Sequence, residues 1–325
     1  MQKLIFKFGL IFSVVCISAM MHGQSVDISK LKSSLLFKGD AVTAYRDPMV
    51  LLNNKIFYLY FTLTEIESDG KIYMYTAFSK SKDLLHWSAV KKLTPRDQSL
   101  NYSSPGNIVR HKDEWGMCLQ TYPRPGYTDQ PVPTYGNGDC RLCIMRSKNL
   151  EDWSQPELLL VKGDQVGEKE MDRMIDPFLL EDRKEKGKWW IFYKQNGASR
   201  SYSYDLKHWT YEGHMPAGEN ICIIDNNEEF IMFHSPENGI GIKRSKNLVH
   251  WTDDKEVLTL GQQNWPWAKG RITAGFVLDT KLEGYERYLM FFHGSGPKKE
   301  TSGDFDKNAS IGVAWSKDLQ HWNWK

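Results

Sequence analysis

"SKDLLHW", residues Ser81–Trp87, returns four more times along the chain: "SKNLEDW" ends at Trp153, "SYDLKHW" at Trp209, "SKNLVHW" at Trp251 and "SKDLQHW" at Trp322. The shared frame is Ser, any residue, Asp or Asn, Leu, two further residues, Trp. Five copies of one unit, spaced 40 to 70 residues apart, point to a solenoid or a propeller. The stretches ahead of each copy choose between them. "KIFYLYFT", "KIYMYTAFS", "KWWIFYKQ", "EFIMFHS" and "RYLMFFHG" are rich in β-branched and aromatic residues, and Asn, Asp and Gly punctuate them as hairpin turns do. No amphipathic helix of ordinary length stands between the repeats. Five units of about four antiparallel strands predict an all-β, five-bladed propeller.

The repeated motif has a structural job. Its Ser and Asp or Asn suit a turn in which short polar side chains bond nearby amides, while Leu and Trp bracket that turn and pack between blades. His86, His208, His250 and His321, each one place before the Trp, then belong to the turn surface and are not catalytic candidates. The last repeat stops with only "NWK" after Trp322, so the fifth blade lacks an outer strand of its own. "SSLLFKGD" at Ser33–Asp40 resembles "PELLLVKGD" after Trp153, which identifies the N-terminal segment as the missing strand. Such a closure hides two sheet edges and makes residues 24–325 one domain.

Composition bounds the function. The 325 residues are 41% hydrophobic and 13% aromatic, enough for one large core, and 42 basic against 40 acidic side chains give a net charge of +2 without long runs of one sign. That balance excludes the basic stripe of a nucleic-acid partner. "MQKLIFKFGLIFSVVCISAMMHG", residues 1–23, reads as a secretory signal cleaved before Gln24, placing the chain outside the cytoplasm, secreted or periplasmic, with no transmembrane segment after processing. Val15 is bulky where a lipidation site at Cys16 needs a small residue. Cys140 and Cys143 lack a second pair at zinc-site spacing, so Cys118, Cys140, Cys143 and Cys222 are read as buried thiols.

Chemistry belongs where the innermost strands begin, because these surround the central channel. The five starts read "YRDPMVLLNN", "YSSPGNIVRHKD", "RMIDPFLLED", "AGENICIIDNN" and "GRITAGFVLD". Carboxylates stand at three of them, Asp47, Asp176 and Glu219, which are expected at one structural position. Arg46, Arg173 and Arg271 beside these starts are either sugar contacts or surface ion pairs. Two long turns, "LQTYPRPGYTDQPVPTYGNG" and "GQQNWPWAKG", have the composition of a sugar platform, with Tyr122, Arg124, Tyr127, Trp265 and Trp267 as candidates, or of packed loops. "DFDKN" at Asp304–Asn308 starts like a calcium loop but lacks its glycine and distal glutamate.

From Tyr45 to Trp322 the chain resembles the five-bladed glycosidases of glycoside hydrolase family 43 and its close clan relatives, through "RDP" in the first blade, "IDP" in the third and a Glu opening the fourth. The resemblance implies Asp47 as general base, Asp176 as the group that tunes and orients the acid, and Glu219 as general acid. It further implies that His293, in "FFHGSG", lies near the channel axis by a structural Ca2+ or a water, with no cofactor required. Where the family follows its acid with Gly-Pro, this chain has Asn220 and Ile221. The expected activity is an inverting glycosidase of α-L-arabinofuranosidase or β-xylosidase type, acting as a monomer on a carbohydrate. A phosphorylase, a retaining fructan-type hydrolase and a non-catalytic sugar-binding propeller are the alternatives.

Overall fold

The computed structural model describes residues 27–128, 138–254, 256–281, 285, 287–297 and 308–325. The segment read as a signal, with Cys16, and Asp304 of the "DFDKN" stretch lie outside the described residues. Four blades are four-stranded antiparallel sheets. The first is Thr43–Asn53, Ile56–Ile66, Ile72–Ser81 and Lys91–Lys92, and the second is Ile108–His111, Glu114–Gln120, Leu142–Ser147 and Glu157–Leu158. The third runs Ile175–Glu181, Trp189–Lys194, Ala198–Ser203 and Thr210–Met215, and the fourth Glu219–Asp225, Phe230–Ser235, Gly241–Ser245 and Thr252–Asp253. Arg271–Asp279, Tyr288–Ser295 and Ser310–Ser316 build the fifth. Among the described residues helical structure is confined to short 3-10 turns, and no helix is long and apolar enough to cross a membrane.

Strands caught between two neighbouring blades are buried on both faces, which is why "IFYLYFT" is a continuous apolar run: Phe57, Leu59, Tyr60 and Phe61 are all fully buried. The apolar layers accordingly lie between blades. One joins Leu59 and Phe61 of the first blade to Phe291 and Val313 of the fifth, and another joins Tyr60 and Phe78 to Met117 and Leu119 of the second.

The repeated motif forms the predicted turn. In the first copy the Ser81 hydroxyl accepts the N–H of Leu84 at 2.9 Å, and Asp83 Oδ1 accepts those of Leu85 and His86 at 2.9 and 2.8 Å. The Trp87 indole N–H donates back to the Leu84 carbonyl at 3.2 Å. These bonds hold Leu84 in the left-handed region (φ 63°), a conformation shared by Leu150, Leu206, Leu248 and Leu319 at φ 68°, 59°, 63° and 66°. A leucine there costs roughly 1–2 kcal/mol, and the cost is offset by the bonded amides and by a side chain that is buried in all five copies. The four motif histidines sit outside, against Asp83, Asp205, Asn247 and Asp318. All four described cysteines are free and buried, and burial pushes the Cys118, Cys143 and Cys222 thiols up to about 12.

Closure is composite. The outer edge of Ser310–Ser316 pairs first with Trp322–Asn323 and then with Leu35–Phe37, so the two chain ends lie head to tail along one strand path. Ser34 N–H donates to the Lys325 carbonyl at 3.0 Å, and Lys325 N–H returns a bond to the Ser34 hydroxyl at 2.9 Å. Phe37 crosses to the first blade, with ring centroids 5.3, 5.6 and 5.4 Å from Tyr45, Phe61 and Trp87. A chain trimmed to begin at Tyr45 should therefore unfold at least about 10 °C lower, from the loss of several kcal/mol of ring burial and ladder bonding. Thermal unfolding of the two chains in parallel checks this, and equal midpoints would contradict the closure.

Candidate active site

Each inner strand departs from regular pairing at its start, and the departure builds the site. Asp47 (φ 48°), Ser104 (φ 46°), Asp176 (φ 54°), Asn220 (φ 50°) and Ala274 (φ 54°), one per blade, are left-handed. In the first, third, fourth and fifth blades the pairing register shifts there, as at a β-bulge. Bulges re-aim side chains, and Asp and Asn tolerate the left-handed region better than most residues. Together the five line an opening of about 300 Å³ in the middle of the ring, with Pro48, Pro105 and Pro177 behind three of them.

A second ring supports the first. The N–H of four of the five left-handed residues donates to a side chain on the second strand of the preceding blade: Asp47 to His293 Nδ1 (3.0 Å), Ser104 to Thr62 Oγ1 (2.7 Å), Asp176 to Gln120 Oε1 (2.6 Å) and Ala274 to Ser235 Oγ (2.7 Å). Each acceptor lies opposite the residue just before the bulge, in the pairs Thr273–His293, Arg46–Thr62, Ser103–Gln120 and Glu219–Ser235. Between the third and fourth blades the corresponding residue is Lys194, paired with Ile175. An ammonium has no lone pair to offer. Lys194 donates to the Ala217 carbonyl at 3.3 Å instead, and the Asn220 N–H turns to Asp176 Oδ2, also at 3.3 Å.

Two carboxylates thus share the channel with unlike surroundings. Asp47 Oδ2 accepts from the Thr62 hydroxyl at 2.9 Å and Oδ1 from Asn220 Nδ2 at 3.4 Å. Burial raises its pKa above the ordinary carboxylate value; Arg46 and the Thr62 bond act against that rise, Glu219 adds to it and Arg271 opposes it. Asp176 Oδ1 accepts from the Ser104 hydroxyl at 2.6 Å. Burial first, then the Glu219 and Asp47 charges, push it up to about 7, and its two hydrogen bonds only partly counter them. The cations stand with Asp47 and oppose the rise there, whereas at Asp176 the opposition comes from hydrogen bonds.

The structure corrects the alignment of the third carboxylate. The residue equivalent to Asp47 and Asp176 in the fourth blade is Asn220, and Glu219 sits one place earlier, equivalent to Arg46 and Thr273. The bulge position demands a left-handed backbone, which explains why Asn fills it. Glu219 is half-buried and close enough to raise the proton affinity of both aspartates. The readable signal is the spacing to the next hairpin turn: Asp47, Asp176 and Asn220 precede Asn53, Asp182 and Asn226 by the same interval. Ser104, Thr62 and Gln120 are functional neighbours that the sequence reading passes over, although Ser104 stands before a proline just as the two aspartates do.

Arg46 is buried, and with Arg271 it acts electrostatically on both Asp47 and His293. His293 is 1% exposed, and burial together with those two guanidinium groups holds its pKa well below the ordinary value. Its Nδ1 accepts the Asp47 N–H, so the ring proton sits on Nε2, a buried atom with no partner among the described residues. An N–H offers a donor and no lone pair, so this atom suits a water and does not fit a Ca2+ ligand. Among the described residues no group of three or more His, Cys, Asp or Glu could hold a metal ion.

Arg173 shares a hydrogen bond with Tyr122 and lies within electrostatic reach of Glu219. Tyr122 and Tyr127 are buried with Ile72, Met74, Cys140 and Ile175, and the Arg124 guanidinium lies 3.5 Å over the Tyr127 ring. Trp265 stacks on Trp267 and on Phe292 at 5.2 and 5.8 Å. A Cβ at Gly312 would come within 2.5 Å of the Trp267 ring. Among the described residues these aromatic side chains are therefore packed and form no open platform; Trp267 and Arg173 alone keep partial exposure among these candidates, and residues 129–137 of the first turn lie outside the described residues.

No family model and no curated protein matches the chain in sequence. Its fold, in contrast, matches solved structures closely in extent. A thermostable family-43 glycoside hydrolase superposes with a TM-score of 0.57 at 12% identity over 88% of this chain and 94% of that one. An exo-1,5-α-L-arabinanase from a bovine ruminal metagenomic library gives 0.58 at 14% identity, covering 89% and 99%. A family 117 glycoside hydrolase of the marine bacterium Zobellia galactanivorans gives 0.60 at 17%, covering 85% of each chain. The chain thus has the five-bladed propeller fold found in these glycoside hydrolases.

Proposed function

We propose that this protein is an inverting glycoside hydrolase, with Asp47 as the base that activates water, Glu219 as the acid that protonates the leaving oxygen, and Asp176 as the neutral carboxyl that positions and tunes them. The observation that carries the proposal is the carboxyl cluster in the channel: Asp47 beside Arg46 and Arg271 in the first blade, with Asp176 and Glu219 facing it from the third and fourth. Inversion needs one carboxyl in each state, set far enough apart to admit water. A sugar-binding propeller has no use for such a pair, which lowers stability wherever both groups ionise. The similarity to an arabinanase and to family-43 enzymes favours plant-type oligosaccharide side chains, in the manner of an α-L-arabinofuranosidase or β-xylosidase. On this reading the chain is exported, works as a monomer and needs no cofactor.

The test is a screen of aryl glycosides and plant polysaccharides with the purified protein, in the presence and absence of inorganic phosphate, with proton NMR of the first-formed anomer. Hydrolysis with inversion is expected. Retention, strict dependence on phosphate, or glycan binding without turnover would each replace the proposal with one of its alternatives.

A further inference from the structure

We infer that Asn220 is a positioning residue that ties Asp47 and Asp176 into one unit across the channel. It reaches both: its backbone N–H meets Asp176 Oδ2 at 3.3 Å and its Nδ2 meets Asp47 Oδ1 at 3.4 Å. The sequence makes this arrangement necessary. Lys194 cannot accept the N–H that Thr62, Gln120, Ser235 and His293 accept at the other four steps of the ring, so the Asn220 amide is left for Asp176. The left-handed backbone at φ 50° then brings the short amide side chain over the opening, toward the first blade. A glycine satisfies the same backbone but leaves Asp47 Oδ1 without this donor.

The inference rests on the glycosidase reading for its meaning, yet its test does not. Asp47 is faced by Arg46 on its own strand, by Arg271 and His293 from the fifth blade, by Asp176 from the third and by Glu219 from the fourth. Removing only the Nδ2 donor leaves all of these in place. The ionised form of Asp47 loses one hydrogen bond, so its titration moves upward; Asp176, facing a less charged neighbour, moves slightly downward.

The experiment is carbon NMR titration of the full chain labelled at aspartate carboxyl carbons, with the Asp47 signal assigned by its loss in Asp47→Asn. Asn220→Gly and Asn220→Ala are compared with the wild type. The Gly variant relaxes the backbone, whereas the Ala variant keeps its strain as Ala274 does at φ 54°. Both should raise the Asp47 midpoint by about 0.5–1 pH unit, the size expected for one long hydrogen bond to a charged group. If glycosidase activity is found, the acidic limb of kcat/KM should move by the same amount. An Asp47 titration unchanged in both variants would overturn the inference whether or not the protein hydrolyses a glycoside. A shift seen only in the Ala variant would assign the effect to backbone strain and would overturn it equally.

Discussion

Asp47→Asn should lower turnover by about 10²–10⁴-fold while leaving sugar binding within a few-fold, because the amide keeps the shape of the carboxylate but cannot take a proton from water. The geometry lets the substitution fit. The new side-chain oxygen can still accept the Thr62 hydroxyl, and its NH2 then faces Asn220, whose own amide turns over to present oxygen. Thr62 keeps accepting the Ser104 N–H, so the second ring is undisturbed. The loss is therefore chemical and not structural, and unfolding midpoints near the wild-type value should accompany it. A second readout distinguishes this from general damage. The Asp47 charge is one of the causes that hold Asp176 protonated, so Asp176 in the variant should titrate lower than about 7. Rates measured on the best substrate from the screen, with binding followed by calorimetry, check the first part. Full activity in Asp47→Asn would remove it from the chemistry altogether.

The parts of this molecule that sequence reveals are those where local chemistry and position coincide. The turn of Ser81, Asp83, Leu84 and Trp87 uses side chain to backbone bonds within seven residues, so its letters recur wherever the turn recurs. Ring closure was legible for the same reason, since Ser33–Asp40 carries the pattern of an outer strand. The channel is harder to read. A bulge shifts the register by a residue, and counting from an apparent strand start puts Glu219 where the backbone puts Asn220. The second ring is formed by residues remote in sequence, such as Asp47 and His293, 246 positions apart, and only the register of neighbouring blades pairs them. Composition also fails to separate a sugar platform from a packed loop, because both call for Tyr, Trp and Pro; what separates them is burial, and Tyr122 at 7% and Trp265 at 7% exposure belong to the packing.

With Glu219 one place before the bulge and Asp176 on it, two carboxyls compete for the role of proton donor. Burial and its neighbours push Asp176 up to about 7, but both of its oxygens already accept hydrogen bonds, from Ser104 and from Asn220, and it is 6% exposed. Glu219 is half-buried, and its charge is felt at both aspartates and at Arg173. A donor has to reach a leaving oxygen that projects out of the channel, which favours the more accessible group. For Glu219→Gln the loss should therefore track the leaving group: about 10²–10⁴-fold on a natural linkage, and within about tenfold on an aryl glycoside whose aglycone departs without protonation. Asp176→Asn acts through position and charge, so it should slow both substrates by similar factors. The two variants, each assayed on an activated and an unactivated glycoside, give four rates whose ratios decide the matter. Should Asp176→Asn be the variant whose loss depends on the aglycone, the proton held in the channel is the one delivered, and Glu219 becomes the charge that keeps it there.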